Sequence, residues 1–307
     1  MVTGAAGFIG RALCDHLAHL GHVVLGATRG AAEPIAGVTL RALGAIGPRT
    51  NWVKHLEGID VAVHLAGSAH RPVSPAAAER EAEAAGALAH AAAAAGVRRL
   101  VHVSSIRAMG ASTPPGRPFR GDDPPLPGDA YGRAKFEIER VVRTAADDTG
   151  LELVILRPPL VYGPGVKGNL RALIRLVASG GPLPFSAVDN RRSLIFLDNL
   201  VDLLALVCTH PDAGGRVLLA CDGADVSTPE LARFLASGLG RRARLFPVPP
   251  TLLAAFCTVP ALGPALARLT LSLQVDDAET RRILGWWPLV TPESGLAATA
   301  RAFASRR

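Results

Sequence analysis

The chain of 307 residues is sparing with several residue types at once: two tyrosines, three lysines, two methionines and four cysteines. Cys14, Cys208, Cys221 and Cys257 lie far apart and form no CxxC pair. That spacing indicates neither a zinc site nor a redox dithiol, so no metal is expected and free thiols in a reducing cytoplasm are. Runs of basic charge are also missing. The net charge of +7 comes from dispersed arginines whose longest clusters are pairs such as Arg98–Arg99 and Arg241–Arg242, which argues against a nucleic-acid binder. No signal peptide is expected, because the N-terminus runs directly into a glycine motif. An unbroken apolar span is lacking too. The most apolar stretch, "TLLAAFCTVPALGPALARLTLSLQV" (251–275), is interrupted by Pro260 and Pro264 and carries Arg268, so it reads as a buried or amphipathic helical segment rather than a membrane insertion.

What remains is a globular composition, 49% hydrophobic and 19% charged, at a length suited to one large α/β domain or a main domain with a smaller partner. Short apolar runs alternate with amphipathic or alanine-rich stretches through the first half. Ile9, Leu13 and Leu17 mark one face of a helix that Gly21 stops. Strands are expected at "VVLGAT" (23–28), "DVAVHLAG" (60–67), "RRLVHVSSI" (98–106) and "LELVILRP" (151–158), with helices over 76–95 and 130–147. That alternation implies a Rossmann-type, doubly wound parallel sheet with helices on both faces. After residue 160 proline and glycine become frequent. The expected division is a dinucleotide-binding part at 1–165 and 186–222, and a smaller substrate region at 166–185 and 223–307. No internal repeat is visible.

"MVTGAAGFIGRAL" places Gly4, Gly7 and Gly10 at a strand-to-helix junction. Glycines there let the backbone bend and approach a pyrophosphate, while the helix N-terminus offers free N–H groups. The spacing is GxxGxxG. At the end of the second strand, where an acidic residue would hold the ribose 2′-hydroxyl of NAD, stand Thr28 and Arg29. A hydroxyl and a guanidinium suit a 2′-phosphate, which favours NADP over NAD. Only Met1 and Val2 precede Thr3, so either the first strand is truncated or the natural chain begins upstream.

Two of the scarce residues fall four apart in "GDAYGRAKFEIER": Tyr131 and Lys135 share one helix face. A tyrosine hydroxyl normally titrates near pH 10, too high for efficient proton transfer at neutrality, and a neighbouring ammonium lowers it toward working pH. "HVSSIRAMG" supplies Ser104 and Ser105 at the carboxyl end of a strand, either of which offers a second hydroxyl for a substrate oxygen.

The combination "TGAAGFIG", "HLAG", "VSSI", "YGRAK" and "RPPLVYGPG" resembles the extended short-chain dehydrogenase/reductase family, the NAD(P)-dependent nucleotide-sugar epimerases, dehydratases and reductases, over essentially the whole chain. The resemblance implies a catalytic set of Ser105, Tyr131 and Lys135, the serine lying five residues before Gly110. It implies cofactor contacts from Gly4, Gly7, Phe8, Ile9, Gly10, Thr28, Arg29, Leu65, Ala66 and Gly67, with Tyr131 and Lys135. "RPPLVYGPGVKGNL", "NRRSLIFLDNL", "DGADVSTPELA" and "SLQVDDAETRRILGW" are similar to bacterial UDP-N-acetylhexosamine 4-reductases and UDP-glucose 4-epimerase-like relatives. By that similarity Asn169 and Arg192 hold the diphosphate of a nucleotide-diphosphate sugar, with Lys167 assisting, and a planar guanidinium suits phosphate oxygens.

Three positions depart from the family pattern. Glu83 stands where an asparagine is usual, Ala45 where an acidic residue contacts adenine, and Leu160 where epimerases carry asparagine. Ile106 and Arg107 follow Ser105 in place of the Asp-Glu of dehydratases, which argues against dehydration. The expected activity is hydride transfer at C4 of a UDP-sugar, first as a 4-ketoreductase and alternatively as an epimerase with tightly bound NAD. A non-catalytic nucleotide-binding regulator is the alternative from another class, and a steroid- or flavonoid-type reductase is a third. The resemblance also carries the expectation of a cytoplasmic protein, a role in polysaccharide biosynthesis and a homodimer.

Overall fold

The computed structural model describes residues 1–67, 74–249, 252–253 and 263–305. A seven-stranded sheet, parallel throughout, forms its centre in the order β3-β2-β1-β4-β5-β6-β9. The strands are β1 (Val2–Thr3), β2 (Val24–Thr28), β3 (Val38–Ala42), β4 (Val61–His64), β5 (Arg99–Val103), β6 (Glu152–Arg157) and β9 (Val217–Leu219). A separate parallel pair joins β7 (Leu160–Tyr162) to β8 (Leu194–Phe196). β1 is two residues long and still sits in the middle, with Thr3 opposite Ala27 on one side and His64 on the other.

Helices cover both faces because the strands alternate two apolar sets. On one face α1 (Phe8–His19) and the later helix α6 (Leu197–Thr209) bury Leu13, Leu17, Leu200 and Leu204 against Val2, Val63, Val101 and Val154. On the other, short α2 (Val53–Leu56), α3 (Pro75–Ala94) and α4 (Ala130–Thr149) cover Ala62, Leu100, Leu153 and Ile155. The alanines of α3 are a packing device. With small side chains, and with Gly86 where a Cβ would come 2.6 Å from Val141, α3 lies close along α4.

The remaining core is built by α5 (Gly168–Ala178), α7 (Thr228–Gly238) and the last helix, Pro292–Ala304. One buried carboxylate joins it to the sheet. Asp222 accepts from the Tyr162 hydroxyl at 2.6 Å, the Phe196 amide at 2.8 Å and Asn199 Nδ2 at 2.7 Å. Asn199 in turn bonds the main chain of Leu289 and Val290.

Within the apolar stretch 251–275 the helix Gly263–Thr270 is present, while 250–251 and 254–262, with Cys257, lie outside the described residues. Cys14, Cys208 and Cys221 are buried free thiols. Among the described residues no helix is long and apolar enough to cross a membrane.

Candidate active site

The turn from β1 into α1 owes its shape to its glycines. Gly4 has φ +70°, and a Cβ there would sit 3.2 Å from the Ala66 amide nitrogen. A Cβ on Gly10 would sit 2.2 Å from the Gly4 carbonyl oxygen, a position no side chain can share. The Gly7 amide donates to that same carbonyl at 2.8 Å. Gly7 caps α1 and supplies no side chain, so the first-turn amides of α1, where Phe8, Ile9 and Gly10 lie, are left for a ligand. Thr3 Oγ accepts from the amides of Leu65 and Ala66 at 3.2 and 3.3 Å, which fixes the end of β4 beside the turn. This is the backbone cradle a dinucleotide pyrophosphate needs, and the residues present fit one.

Thr28 ends β2 and Arg29 follows it. The Thr28 hydroxyl is buried and donates to the Gly30 carbonyl at 2.7 Å. Arg29 is exposed, with no ion pair or hydrogen bond to another described residue.

The candidate residues Ser105, Tyr131 and Lys135 gather where β5 and α4 meet. Ser105 has an extended backbone and caps the short 3-10 turn Ile106–Ala108, its Oγ accepting from the Arg107 amide at 3.2 Å. Ser104 faces the opposite way. Its hydroxyl donates to Glu139, a carboxylate buried with Arg157 in a two-pronged ion pair. Of the two serines, Ser105 is therefore the one whose side chain lies in hydrogen-bond reach of Tyr131. Burial raises the Tyr131 pKa, the Ser105 hydrogen bond and the Arg107 charge pull it down, and Asp129 and Glu81 push it up.

Lys135 is 8% exposed and holds its ammonium 5.8 Å from the Tyr131 ring centroid. Burial lowers its pKa against the opposing carboxylates Glu81 and Glu139. A Cβ on Gly67 would lie 3.2 Å from Lys135 Nζ and 3.5 Å from Glu81 Oε2. Gly67 thus lies in close contact with the lysine and its carboxylate partner beyond the end of β4.

Arg192 lies in a strip of chain bonded on one side to Val226 and on the other to Leu273, with Nη1 donating to the Leu271 carbonyl at 2.9 Å. Burial, with the charges of Arg107 and Arg268, lowers its pKa to about 10. The segment 272–275 also pairs with Thr113 and Phe119, so the loop after Ser105 is bonded to the same strip of chain that holds Arg192. Asn169 is exposed in the first turn of α5, and no hydrogen bond joins it to the Tyr131 group. Lys167 immediately precedes that helix and is also exposed.

Three residues near Tyr131 escaped the sequence reading. Asp129 caps α4, its Oδ1 accepting from the Gly132 amide at 2.7 Å, and its other oxygen pairs with Arg107. An aspartate opening a helix is a readable cap signal. The third is Glu81: the carboxylate of α3 beside Lys135 belongs to it, whereas Glu83 is exposed. β3 closes at Ala42, three residues short of Ala45, and Leu160 is the partly exposed first residue of β7.

A parallel sheet, a glycine turn opening α1 and a Ser–Tyr–Lys group at the sheet's carboxyl edge define a dinucleotide-binding α/β protein of the hydride-transfer type. Residues 1–220 match the model of the NAD dependent epimerase/dehydratase family. The chain is 39% identical to a UDP-glucose 4-epimerase of Vibrio cholerae, over 99% of this chain and 94% of that one. It is 31% identical to a probable dTDP-4,6-dihydroxy-2-methyloxan-3-one 4-ketoreductase of Streptomyces antibioticus, over 88% and 85%. Among solved structures, MoeE5 in complex with UDP-glucuronic acid and NAD superposes with a TM-score of 0.80 at 26% identity, covering 100% of this chain and 99% of that one. The chain belongs to the NAD dependent epimerase/dehydratase family.

Proposed function

We propose that this protein is a nicotinamide-dinucleotide-dependent enzyme acting at C4 of a UDP-hexose, with epimerisation as its reaction. One observation carries the reading: the hydroxyls of Ser105 and Tyr131 meet beside the Lys135 ammonium, next to the glycine turn. Gly4, Gly7 and Gly10 with the first turn of α1 would hold the dinucleotide phosphates, and Lys135 the nicotinamide-side ribose. When bound, the nicotinamide supplies the acceptor and donor of hydride.

Tyr131 takes the proton of the sugar's 4-hydroxyl as that carbon is oxidised, and returns it to the oxygen when the carbon is reduced. Ser105 donates to the same oxygen, and Lys135 stabilises the phenolate that takes the proton before oxidation and is regenerated after reduction. Arg192 and Asn169 hold the diphosphate, so the ring itself is free to present either face. In this division of labour residues 1–165 and 186–222 serve the dinucleotide, apart from the sugar-facing Ser105 and Arg192, and 166–185 with 223–307 the nucleotide sugar. Whole-length similarity to an epimerase supports the assignment.

Ketoreduction is the second reading, favoured by one feature: Arg29 is exposed beside Thr28 and pairs with no other described residue, which suits the 2′-phosphate of NADPH. The experiment is to denature the purified protein, identify any released nucleotide, and assay UDP-glucose and UDP-galactose for interconversion. Retained NAD with interconversion supports the epimerase. An exchangeable dinucleotide with preference for NADPH, and no interconversion, supports the ketoreductase. Absence of both dinucleotide binding and turnover refutes the proposal.

A further inference from the structure

We propose that Arg107 is a positioning residue for the reacting pair: it locks the Ser105 turn onto the start of the Tyr131 helix and sets the charge beside the tyrosine hydroxyl. The inference rests on the hydride-transfer reading above and deepens it.

Arg107 reaches both partners. Its amide donates to Ser105 Oγ at 3.2 Å, which fixes the serine rotamer. Its carbonyl lies against the first turn of α4, so close that a Cβ on Gly132 would come within 2.3 Å of it. Its guanidinium pairs with Asp129, whose other oxygen caps α4 through the Gly132 amide. Main chain, carbonyl and side chain of one residue thus tie the serine to the helix that carries the tyrosine. The guanidinium is only 20% exposed, so its charge is less screened than that of a surface pair.

The groups acting on the Tyr131 hydroxyl are Ser105 and Arg107 from the turn, Asp129 at the cap of α4 and Glu81 from α3, with Lys135 of α4 over the ring. Arg107 and Asp129 act on it with opposite sign. A purely mechanical latch, broken from either end, would do the same damage each time. A latch that also tunes the phenol shifts its titration upward when the cation is removed and downward when the carboxylate is removed.

The test uses Arg107→Gln, Arg107→Lys and Asp129→Asn, the last chosen because asparagine still caps a helix. Two measurements are made: the pH dependence of kcat, and a spectrophotometric phenolate titration of the protein. The titration reads Tyr131 first, because the other tyrosine, Tyr162, is fully buried and driven far upward by burial and by Asp222. Arg107→Gln is expected to raise the Tyr131 midpoint and the ascending limb of kcat by roughly one pH unit. Asp129→Asn lowers both, and Arg107→Lys keeps them near the wild-type position.

Unchanged midpoints in all three variants, or a shift of the same sign in Arg107→Gln and Asp129→Asn, overturns the proposal. A wild-type protein inactive on every UDP-hexose counts against the hydride-transfer reading instead, and the phenolate titration still decides the role of Arg107.

Discussion

Acid should weaken this protein before its salt-bridged carboxylates are protonated, and the cause is a pair of stacked imidazoles. His64 on β4 and His102 on β5 are register partners, 5% and 2% exposed, with ring centroids 5.6 Å apart. The ring of His64 meets Thr3 Oγ at 2.9 Å, while neither ring nitrogen of His102 has a partner among the described residues. Burial, helped by the Lys135 charge, lowers the pKa of His64 to about 4. Burial, then His64 and Lys135, drives His102 well down too.

Both histidines are therefore neutral in the folded protein, while in the unfolded chain they take up a proton near pH 6.5. A depressed folded pKa means the unfolded state binds more protons as pH falls, so stability drops between about pH 6.5 and about pH 4. The 2.5 units for His64 correspond to about 3 kcal/mol at 1.36 kcal/mol per unit, and His102 adds in the same direction. Against a typical stability of about 5–15 kcal/mol that is a large share. Salt-bridged carboxylates such as Glu137, Glu152 and Glu230, with pKa values held below the usual carboxylate value, lose their contribution at more acidic pH. Urea unfolding from pH 7.5 to 4.5 measures the effect, with His64→Gln/His102→Leu as the control that flattens the curve. A wild-type free energy constant from pH 6.5 to 4.5, or a double variant as acid-sensitive as wild type, refutes the reasoning.

Tyr131→Phe should cut turnover by about 10²–10⁴-fold while dinucleotide binding persists, measured by steady-state assay and cofactor titration. Gly10→Ala places a methyl 2.2 Å from the Gly4 carbonyl, so it should abolish the thermal stabilisation that added dinucleotide gives the wild type. Glu139→Leu strands the Arg157 guanidinium, 4% exposed, and should cost about 3–5 kcal/mol by urea denaturation. Ser104→Ala removes one neutral donor to the same carboxylate and should cost about 1 kcal/mol, with catalysis retained.

The parallel sheet was readable because its apolar runs and helical periods do not overlap. The helices expected over 76–95 and 130–147 occupy Pro75–Ala94 and Ala130–Thr149, and the second strand matches Val24–Thr28. Side-chain direction was less readable. Ser104 and Ser105 are equal by chemistry, and what separates them is Glu139, 35 residues away, which takes the Ser104 hydroxyl. Glu83 and Glu81 differ by two residues, which is about 200° around a helix. Which of them faces Lys135 depends on how α3 is rotated on α4, a packing property with no local signature. The strip 272–275 carries no strand pattern of its own, because its partners are single bridges to Arg192 and Phe119.

The Asp222–Asn199 junction bears on how such proteins can be remodelled. Its hydrogen bonds draw on β7, β8, α6 and the chain just before the last helix, so any cut between Tyr162 and Leu289 severs at least one of them. A chimaera joined within that span to change sugar preference must keep matched residues at Tyr162, Asn199 and Asp222. Otherwise it inherits a carboxylate with nothing to hold, and the graft fails in the fold before it can be judged in the assay.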